Sequence, residues 1–301
     1  MSTLVEVRRL LHTNYNCGDL PTLERWYGEL FGMRPVMKSV ADDTNGIAFG
    51  LRMATAHETS FIYDNRGGRK SCTLELVRWL TPPTIGRPYE HPWDHGIQSV
   101  AFTVPDLAAV ERKLEVVGGK VERRSPRWLL LRDPENLLVE VYPGRVEKPE
   151  RAHLRAVVHD LERSVAWWGR IGFAAAPHAA DVPASELWPA TGEHAVAKEV
   201  TLVGTDDPTF GIRFTTWSGP PPEGPPYGFP GHRGLFRIAM AVDDVGAAAQ
   251  RFRDEGIATH APYHFALPGT KITEGLKILF FHDPDDIVGE LVERPRSFFT
   301  K

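Results

Sequence analysis

The sequence predicts an α+β protein built from four βαβββ modules, which pair into two domains with cup-shaped mixed sheets. Three observations support this fold class. The chain of 301 residues is longer than a single hydrophobic core usually serves. Two pairs of segments repeat one another, and each copy has the same order of strand and helix patterns. The hydrophobic and charged fractions, 42% and 25%, are those of an ordinary globular protein.

The first repeat relates residues 10–33 to residues 151–173 at a constant spacing of 141 positions. Each copy begins with a strand-like run, continues with an aspartate suited to cap a helix, and then shows the spacing of an amphipathic helix. A glycine follows each predicted helix, where helices commonly end. The aromatic pairs of the two helices are expected to pack against a sheet. The matched residues are His12 with His153, Asp19 with Asp160, Trp26 with Trp167, and Tyr27 with Trp168.

The second repeat relates residues 96–121 to residues 234–259. Both copies show an alternating strand, an acidic cap, a helix with apolar residues three and four positions apart, and a glycine stop. A hairpin-like ending follows each copy, and in both an Asp-Pro turn precedes a glutamate by seven positions. These pairs are Asp133 with Glu140 and Asp283 with Glu290.

Stretches rich in proline and glycine near residues 86, 148 and 225 indicate the borders between modules. They predict an N-terminal domain at residues 1–146 and a C-terminal domain at residues 147–301. The four modules are expected at about residues 8–85, 95–146, 150–220 and 232–294. Because one module cannot close its own sheet, two must pack around a shared concave face. The pattern leaves open whether module 1 shares that face with module 2 or with module 4.

The charge and cysteine content exclude several classes of partner. A formal net charge of −4 with mixed signs gives no broad attraction to nucleic acid or to an anionic membrane. No apolar run is long enough to span a bilayer, and the N-terminal residues lack a signal-peptide core. Cys17 and Cys72 have no metal-site or disulfide spacing. We therefore expect a soluble, cytoplasmic protein whose partner is a small molecule, and a homodimer stays open.

Five segments together resemble the vicinal oxygen chelate superfamily. They are the H-x6-D-L motif at His12 and again at His153, the segment LELVRW at residues 74–79, and the two Asp-Pro endings. The superfamily includes glyoxalase I, methylmalonyl-CoA epimerase, bleomycin-resistance proteins and type I extradiol dioxygenases. The resemblance covers nearly the whole chain and implies two glyoxalase-like domains. A shared fold by itself does not identify a reaction.

The resemblance implies four polar positions on strands that line each cup. In the N-terminal pair of modules these are His12, Glu75, Ser99 and Glu140, and in the C-terminal pair His153, Arg213, Arg237 and Glu290. By this resemblance His12, Glu75 and Glu140 hold a divalent ion, which is Fe²⁺, Mn²⁺, Ni²⁺, Co²⁺ or Zn²⁺. Ser99 stands where the family usually has a second ligand. His153 and Glu290 form a weaker second set.

Arginine cannot ligate a metal, because its guanidinium stays protonated. Arg213 and Arg237, with Ser99, are therefore expected to bind substrate, or the arginines neutralise Glu290. A cup that places His12 and Glu75 beside Arg237 and Glu290 is an equally open arrangement. His91 and His95 are expected to be surface loop residues, with the alternative that one of them supplies the missing imidazole.

The predicted function is that of a divalent-metal-dependent enzyme for a small substrate with vicinal oxygens. The metal would stabilise an enolate while Glu75 or Glu140 moves a proton, which gives isomerase, epimerase or lyase chemistry. One alternative is an extradiol-type Fe²⁺ dioxygenase, although Arg237, Thr270 and Phe280 stand near where that family has His and Tyr residues. A second alternative is a metal-free protein that binds an aromatic or antibiotic ligand.

For each candidate ligand a purely structural role is the competing interpretation. His12 would be a half-buried strand residue bonded to backbone. Glu75 would be an exposed strand glutamate, and Glu140 would form a structural ion pair, since an unpaired buried charge costs several kcal/mol. For Glu290 the ion pair is the favoured expectation, with Arg213 or Arg237 as its partner.

Overall fold

The computed structural model describes residues 3–176, 182–188, 197–219, 221–267, 270, 272 and 275–294. Within these residues the chain forms sixteen strands and five α-helices. The predicted order of strand, helix and three strands is present in all four modules, and the α+β fold class is confirmed. No helix in the described part of the chain is long and apolar enough to cross a membrane.

The first two modules make up the N-terminal half of the chain. Module 1 contains β1 (Arg9–Asn16), α1 (Leu20–Phe31), β2 (Arg34–Asn45), a 3-10 turn (Gly46–Phe49), β3 (Ala54–Tyr63) and β4 (Thr73–Thr81). Module 2 contains β5 (Gly96–Val104), α2 (Leu107–Val117), β6 (Lys120–Ser125), β7 (Trp128–Arg132) and β8 (Leu138–Pro143).

The last two modules repeat this order, with one short helix added. Module 3 contains β9 (Glu150–Val157), α3 (Leu161–Arg170), β10 (Phe173–Ala175), α4 (Ala184–Leu187), β11 (Ala197–Gly204) and β12 (Gly211–Trp217). Module 4 contains β13 (Gly234–Val242), α5 (Val245–Asp254), β14 (Tyr263–Phe265), β15 (Leu276–His282) and β16 (Val288–Glu293).

Each long helix begins at the aspartate that the sequence predicts as its cap. The side chain of Asp19 accepts a hydrogen bond from the backbone N–H of Thr22, and Asp160 does the same for Arg163. Asp106 and Asp244 cap α2 and α5 in the same way. These bonds satisfy N–H groups that have no partner inside the helix. At the other end of α1, Gly32 has a φ of 67°, a conformation that glycine adopts at low cost.

The strands form two eight-stranded mixed sheets, and each sheet takes one module from each half of the chain. The first sheet has the order β14-β15-β16-β13-β1-β4-β3-β2, from modules 4 and 1. The second sheet has the order β10-β11-β12-β9-β5-β8-β7-β6, from modules 3 and 2. At the centres, β1 pairs antiparallel with β13 and β5 pairs antiparallel with β9. Of the two pairings that the sequence leaves open, module 1 therefore shares its sheet with module 4.

The helices and one face of each sheet form a shared hydrophobic core. It contains the aromatic residues Trp26 and Tyr27 of α1 and Trp167 and Trp168 of α3, which confirms the predicted packing of these helices. The rings of Phe31 on α1 and Phe102 on β5 stack with centroids 3.9 Å apart, although the two residues belong to different modules. Because the helices use this face, the opposite face of each sheet is left for a site.

The Asp-Pro turn of module 2 fastens the second sheet to module 1. The Asp133 carboxylate accepts hydrogen bonds from the hydroxyls of Tyr15 and Tyr27, at 2.8 and 3.1 Å. It also accepts from the backbone N–H groups of Glu135 and Leu137. Asp283 has the same role in module 4, where it accepts from the Trp168 indole at 2.9 Å. The modules are therefore joined by buried polar contacts as well as by the apolar core.

We predict that Asp133→Ala destabilises the protein by about 3 kcal/mol or more, because four buried donors lose their acceptor together. Denaturant unfolding followed by tryptophan fluorescence measures this loss. Asp106→Ala is the matched control, since it removes an exposed cap and should cost about 1 kcal/mol. Equal losses in the two variants would show that Asp133 does not fasten the modules.

Candidate active site

The free face of each sheet is a cup that carries four polar side chains at equivalent strand positions. The first cup holds His12, Glu75, Arg237 and Glu290. The second cup holds His153, Arg213, Ser99 and Glu140, on β9, β12, β5 and β8. The eight positions that the resemblance implies therefore lie in two groups of four, but each group draws two residues from each half of the chain.

The predicted ligand set of His12, Glu75 and Glu140 is not brought together. His12 and Glu75 lie on β1 and β4 of the first sheet, whereas Glu140 lies on β8 of the second sheet. The predicted set requires module 1 to pair with module 2, which is adjacent in sequence, whereas the strands pair module 1 with module 4 and module 2 with module 3. The open arrangement with His12 and Glu75 beside Arg237 and Glu290 is the one found.

In the first cup, one guanidinium bridges two buried carboxylates. Arg237 donates from Nε to Oε2 of Glu290 at 2.6 Å and from Nη2 to Oε2 of Glu75 at 2.8 Å. Nε2 of His12 lies 3.4 Å from each of the same two oxygens. This nitrogen makes no hydrogen bond to either carboxylate, and it has no other hydrogen-bond partner among the described residues. The cup thus holds an imidazole between two carboxylates that share one cation.

Burial and charge act in opposite directions on these groups. Burial disfavours the ionised form of Glu290, but the charge of Arg237 and the contact with His12 outweigh it and lower the pKa to about 2. Burial likewise disfavours the charged form of Arg237, and the carboxylates of Glu75 and Glu290 outweigh it and raise its pKa. The expected ion pair of Glu290 with an arginine is confirmed, and its partner is Arg237.

A pocket of about 420 Å³ leads to His12 from one end of the first cup. Its walls are mostly apolar and include Leu11, Phe61, Ile272, Leu276 and Val292. Polar groups of Lys38, Tyr63, Thr73, Thr270 and Arg294 complete the lining. The Phe61 ring meets the His12 ring edge-on, with centroids 5.5 Å apart. This volume and this lining are typical of sites for small organic molecules.

Aromatic side chains fill the other end of the first cup. Phe49 packs edge-on against Trp79 and near Phe280, with centroids 5.3 and 5.5 Å away. The Arg237 guanidinium lies 5.9 and 5.6 Å from the ring centroids of Phe49 and Phe280. Phe280, which the sequence places near the position of a dioxygenase tyrosine, is therefore a wall residue against Arg237. His12 lines the pocket at the opposite end from these rings.

In the second cup, Glu140 is saturated by protein donors. It accepts hydrogen bonds from Ser99 and Tyr142 at 2.5 Å each and from two nitrogens of Arg155 at 2.7 and 3.0 Å. His153 lies 3.3 Å from the same carboxylate. Burial disfavours the ionised form of Glu140, but the charge of Arg155 holds its pKa well below the usual range. The side chain is 0% exposed and forms a structural ion pair, the competing interpretation named above.

Residues 182–188 pack into the second cup. Val182, Leu187 and Trp188 belong to one buried cluster with Trp128 and Trp217 of the sheet. The Arg155 guanidinium lies 5.0 Å from the Trp188 ring centroid. Arg213 donates to the backbone carbonyl of Val182 at 3.3 Å. Ser99 and Arg213, the predicted substrate-binding residues, are thus bonded to protein groups.

Sequence reasoning missed Arg155 and the filling segment. Arg155 follows His153 by two positions on β9, so the strand period places both side chains on one face. That signal was available in the sequence. The segment at residues 182–188 has no clear periodicity, and nothing in its composition indicates that it occupies a cup.

The resemblance implies a divalent ion, and the first cup contains three possible ligands for it. His12, Glu75 and Glu290 are suitable donors by residue type. However, both carboxylate oxygens that face His12 already accept from Arg237, whose guanidinium keeps its charge. The residues present therefore do not fit a resident metal ion in this cup, since the arginine occupies the place of the cation.

The dioxygenase alternative needs His153, residue 237 and Glu290 in one cup. The structure places His153 in the second sheet and the other two in the first. Thr270 lines the pocket and donates its hydroxyl to the carbonyl of Leu267 at 2.9 Å. The described residues thus do not assemble that triad.

His95 is buried, with 4% of its surface exposed, so its expected place in a surface loop is wrong. Its Nδ1 lies 3.2 Å from the carbonyl oxygen of Gly224, because the two linkers between modules run side by side there. His95, His159 and Asp285 each place one ligand atom within 4.8 Å of the others. Within the described residues this is the one compact His, Cys, Asp or Glu group of that kind.

Comparisons with known proteins agree with this architecture. The profile of the Glyoxalase/Bleomycin resistance protein/Dioxygenase superfamily matches residues 9–141 and 151–291. A glyoxalase I variant from Zea mays is 20% identical, with a TM-score of 0.64 over 94% of this chain and 93% of that one. A protein from Bacillus subtilis assigned as a dioxygenase is 15% identical, with a TM-score of 0.62 over 99% and 91%. At these identities the solved structures show the fold alone. No curated protein matches the sequence.

We predict that Glu290→Gln weakens the acid sensitivity of the fold. The pKa of Glu290 is about 2 in the folded protein against 4.5 for an ordinary glutamate, so the pair stabilises the fold by roughly 3 kcal/mol. A lowered folded pKa means that this stabilisation is present above pH 4.5 and is lost as the pH falls toward 2.

Unfolding free energies measured at about pH 5.5 and pH 3.5 test this prediction. The wild type should lose about 1 kcal/mol more than Glu290→Gln over that interval. Glu255→Gln, an exposed glutamate on the surface, should behave as the wild type does. An identical pH dependence in wild type and Glu290→Gln would contradict the prediction.

Proposed function

We propose, from the premise that the chain belongs to the Glyoxalase/Bleomycin resistance protein/Dioxygenase superfamily, that it is an enzyme acting on a small molecule in its first cup. The reaction is a proton transfer beside a carbonyl group, as in isomerases and epimerases. The observation that carries this proposal is the buried imidazole of His12, which lines the pocket and faces two carboxylates through Nε2.

His12 is the proposed general base. In this proposal Nε2, which lies 3.4 Å from each carboxylate, carries the ring proton, and Nδ1 accepts a proton from the carbon of the bound substrate. The resulting imidazolium is stabilised by the negative charges of Glu75 and Glu290, which lie 3.4 Å away. Arg237 holds both carboxylates in place and keeps Glu290 ionised. The base and its orienting groups therefore come from β1, β4, β13 and β16.

The lining of the pocket defines the proposed substrate class. Its apolar walls suit an aromatic or aliphatic body, and its polar groups suit one or two oxygens. When His12 takes the proton, the electron pair of the C–H bond moves to the carbonyl oxygen and forms an enolate. Burial raises the pKa of the Tyr63 hydroxyl, which stays protonated and is the proposed donor to that oxygen. Return of the proton to the other face or to the neighbouring carbon completes the reaction.

The metal-dependent route through His12, Glu75 and Glu140 is not carried into this proposal, because those residues lie in two different sheets. A protein that binds an aromatic ligand without turnover is the second candidate. It is favoured by the apolar walls of the pocket and by the engagement of Arg237 with two glutamates. The enzyme would exchange a C–H proton of the bound ligand with solvent, and the binding protein would not.

We predict that His12→Gln keeps ligand binding and loses proton exchange by at least about 100-fold. Thermal shift against a panel of small aromatic and aliphatic carbonyl compounds identifies ligands of the wild type. NMR in D₂O then follows loss of the C–H signal beside the carbonyl. His153→Gln, the equivalent change in the second cup, is the matched control and should exchange as the wild type does.

Three results are informative. Exchange in the wild type and in His153→Gln but not in His12→Gln supports the enzyme. Undiminished exchange in His12→Gln would contradict the role of His12. Tight binding with no exchange in the wild type would favour the binding protein.

A further inference from the structure

We propose that His95, His159 and Asp285 bind a divalent transition-metal ion such as Zn²⁺ at a site outside both cups. His95 precedes β5, His159 follows β9, and Asp285 lies in the turn between β15 and β16. Nε2 of His95 and Nδ1 of His159 lie 3.8 and 3.7 Å from Oδ1 of Asp285. The two imidazole rings meet edge-on, with centroids 4.1 Å apart.

His95 is oriented as a ligand. Its Nδ1 lies 3.2 Å from the carbonyl oxygen of Gly224, which can only accept, so Nδ1 donates and the lone pair is on Nε2. A carbonyl that fixes the tautomer in this way is a common support for metal-bound histidines. Nε2 is buried and has no hydrogen-bond partner among the described residues. Burial and the neighbouring His159 lower the pKa of His95, which favours the neutral form that binds metals.

Asp285 is held firmly by the protein. Its carboxylate accepts from the backbone N–H of His159 at 3.0 Å, from Ser164 Oγ at 2.5 Å and from Arg163 Nη2 at 3.1 Å. Arg163 is about half exposed, so its guanidinium can move into solvent when an ion binds. Zinc–ligand bonds of about 2.0–2.1 Å place neighbouring ligand atoms about 3.4 Å apart in a tetrahedron. The separations from Asp285 exceed this by a few tenths of an ångström, which small ring rotations can close.

The internal repeat provides a comparison. The positions equivalent to His159, Asp285 and His95 in the other pair of modules are Gly18, Glu135 and Arg233. There the Gly18 N–H donates to Glu135 at 3.0 Å, and the Arg233 guanidinium lies 3.2 Å from the same carboxylate. An arginine therefore contacts the turn carboxylate in both copies, Arg233 in one and Arg163 in the other, and two imidazoles lie beside it only in the second. Only the copy with imidazoles has the donors that a transition metal prefers.

The site keeps room for solvent. The His159 side chain is 48% exposed. Coordination positions of a bound ion that no protein atom occupies would therefore face water. Because its three residues come from modules 2, 3 and 4, a bound ion would connect the centre of the second sheet to a turn of the first sheet. We expect Zn²⁺ to raise the midpoint of thermal unfolding for this reason.

Titration of chelator-treated protein with Zn²⁺, followed by calorimetry, and with Co²⁺, followed by visible absorption, tests the site. The wild type should bind one equivalent. His159→Ala and His95→Gln should each weaken binding at least tenfold, with folding checked by circular dichroism. His159 is half exposed, so its variant should fold even if the His95 variant does not. Arg163→Ala removes the competing cation and should bind at least as tightly.

Two controls separate this site from the first cup. His264→Ala, an exposed histidine on β14, and Glu290→Gln should both bind as the wild type does. Absence of binding in the wild type would overturn the proposal. So would binding that survives in His159→Ala but is lost in Glu290→Gln, since the ion would then occupy the first cup. The proton exchange assigned to His12 should be unchanged in His159→Ala, so either proposal can fail without the other.

Discussion

The antiparallel pairing of β1 with β13 and of β5 with β9 is the constraint on which the rest of the molecule depends. A single module offers too few strands to close a cup, so each module must find a partner across a central strand pair. The pairing found here joins the first module to the last and leaves the middle two to each other. This pairing decides which side chains meet. The four polar positions of each cup lie on the two paired strands and on the one strand at either side of them.

The two cups show how a buried carboxylate is neutralised in alternative ways on one scaffold. In the first cup, Arg237 serves Glu75 and Glu290 together and leaves His12 beside an open pocket. In the second cup, Arg155 neutralises Glu140, and the Trp188 ring packs against the Arg155 guanidinium. A buried charge without a partner is costly, so each cup needs an internal cation. The cups differ in free space because residues 182–188 pack into the second one.

Much of the fold could be predicted because it depends on local signals. The aspartate caps, the alternating strands and the repeat spacing of 141 positions are all present in short segments, and each was found where expected. The pairing of modules could not be predicted, because both pairings preserve the same repeat. For that reason the sequence alone does not show whether His12 and Glu75 share a cup with Glu140 or with Glu290. The His95, His159 and Asp285 group is also invisible in the sequence, since its members come from three modules.

The first cup is open to a small molecule at His12, whereas residues 182–188 occupy the second. Crystals soaked with a library of small aromatic and carbonyl fragments test this difference most directly. We expect fragment density in the first cup, within contact distance of His12 and Phe61, and none beside Glu140. Fragments bound beside Glu140, with residues 182–188 displaced and the first cup empty, would contradict it.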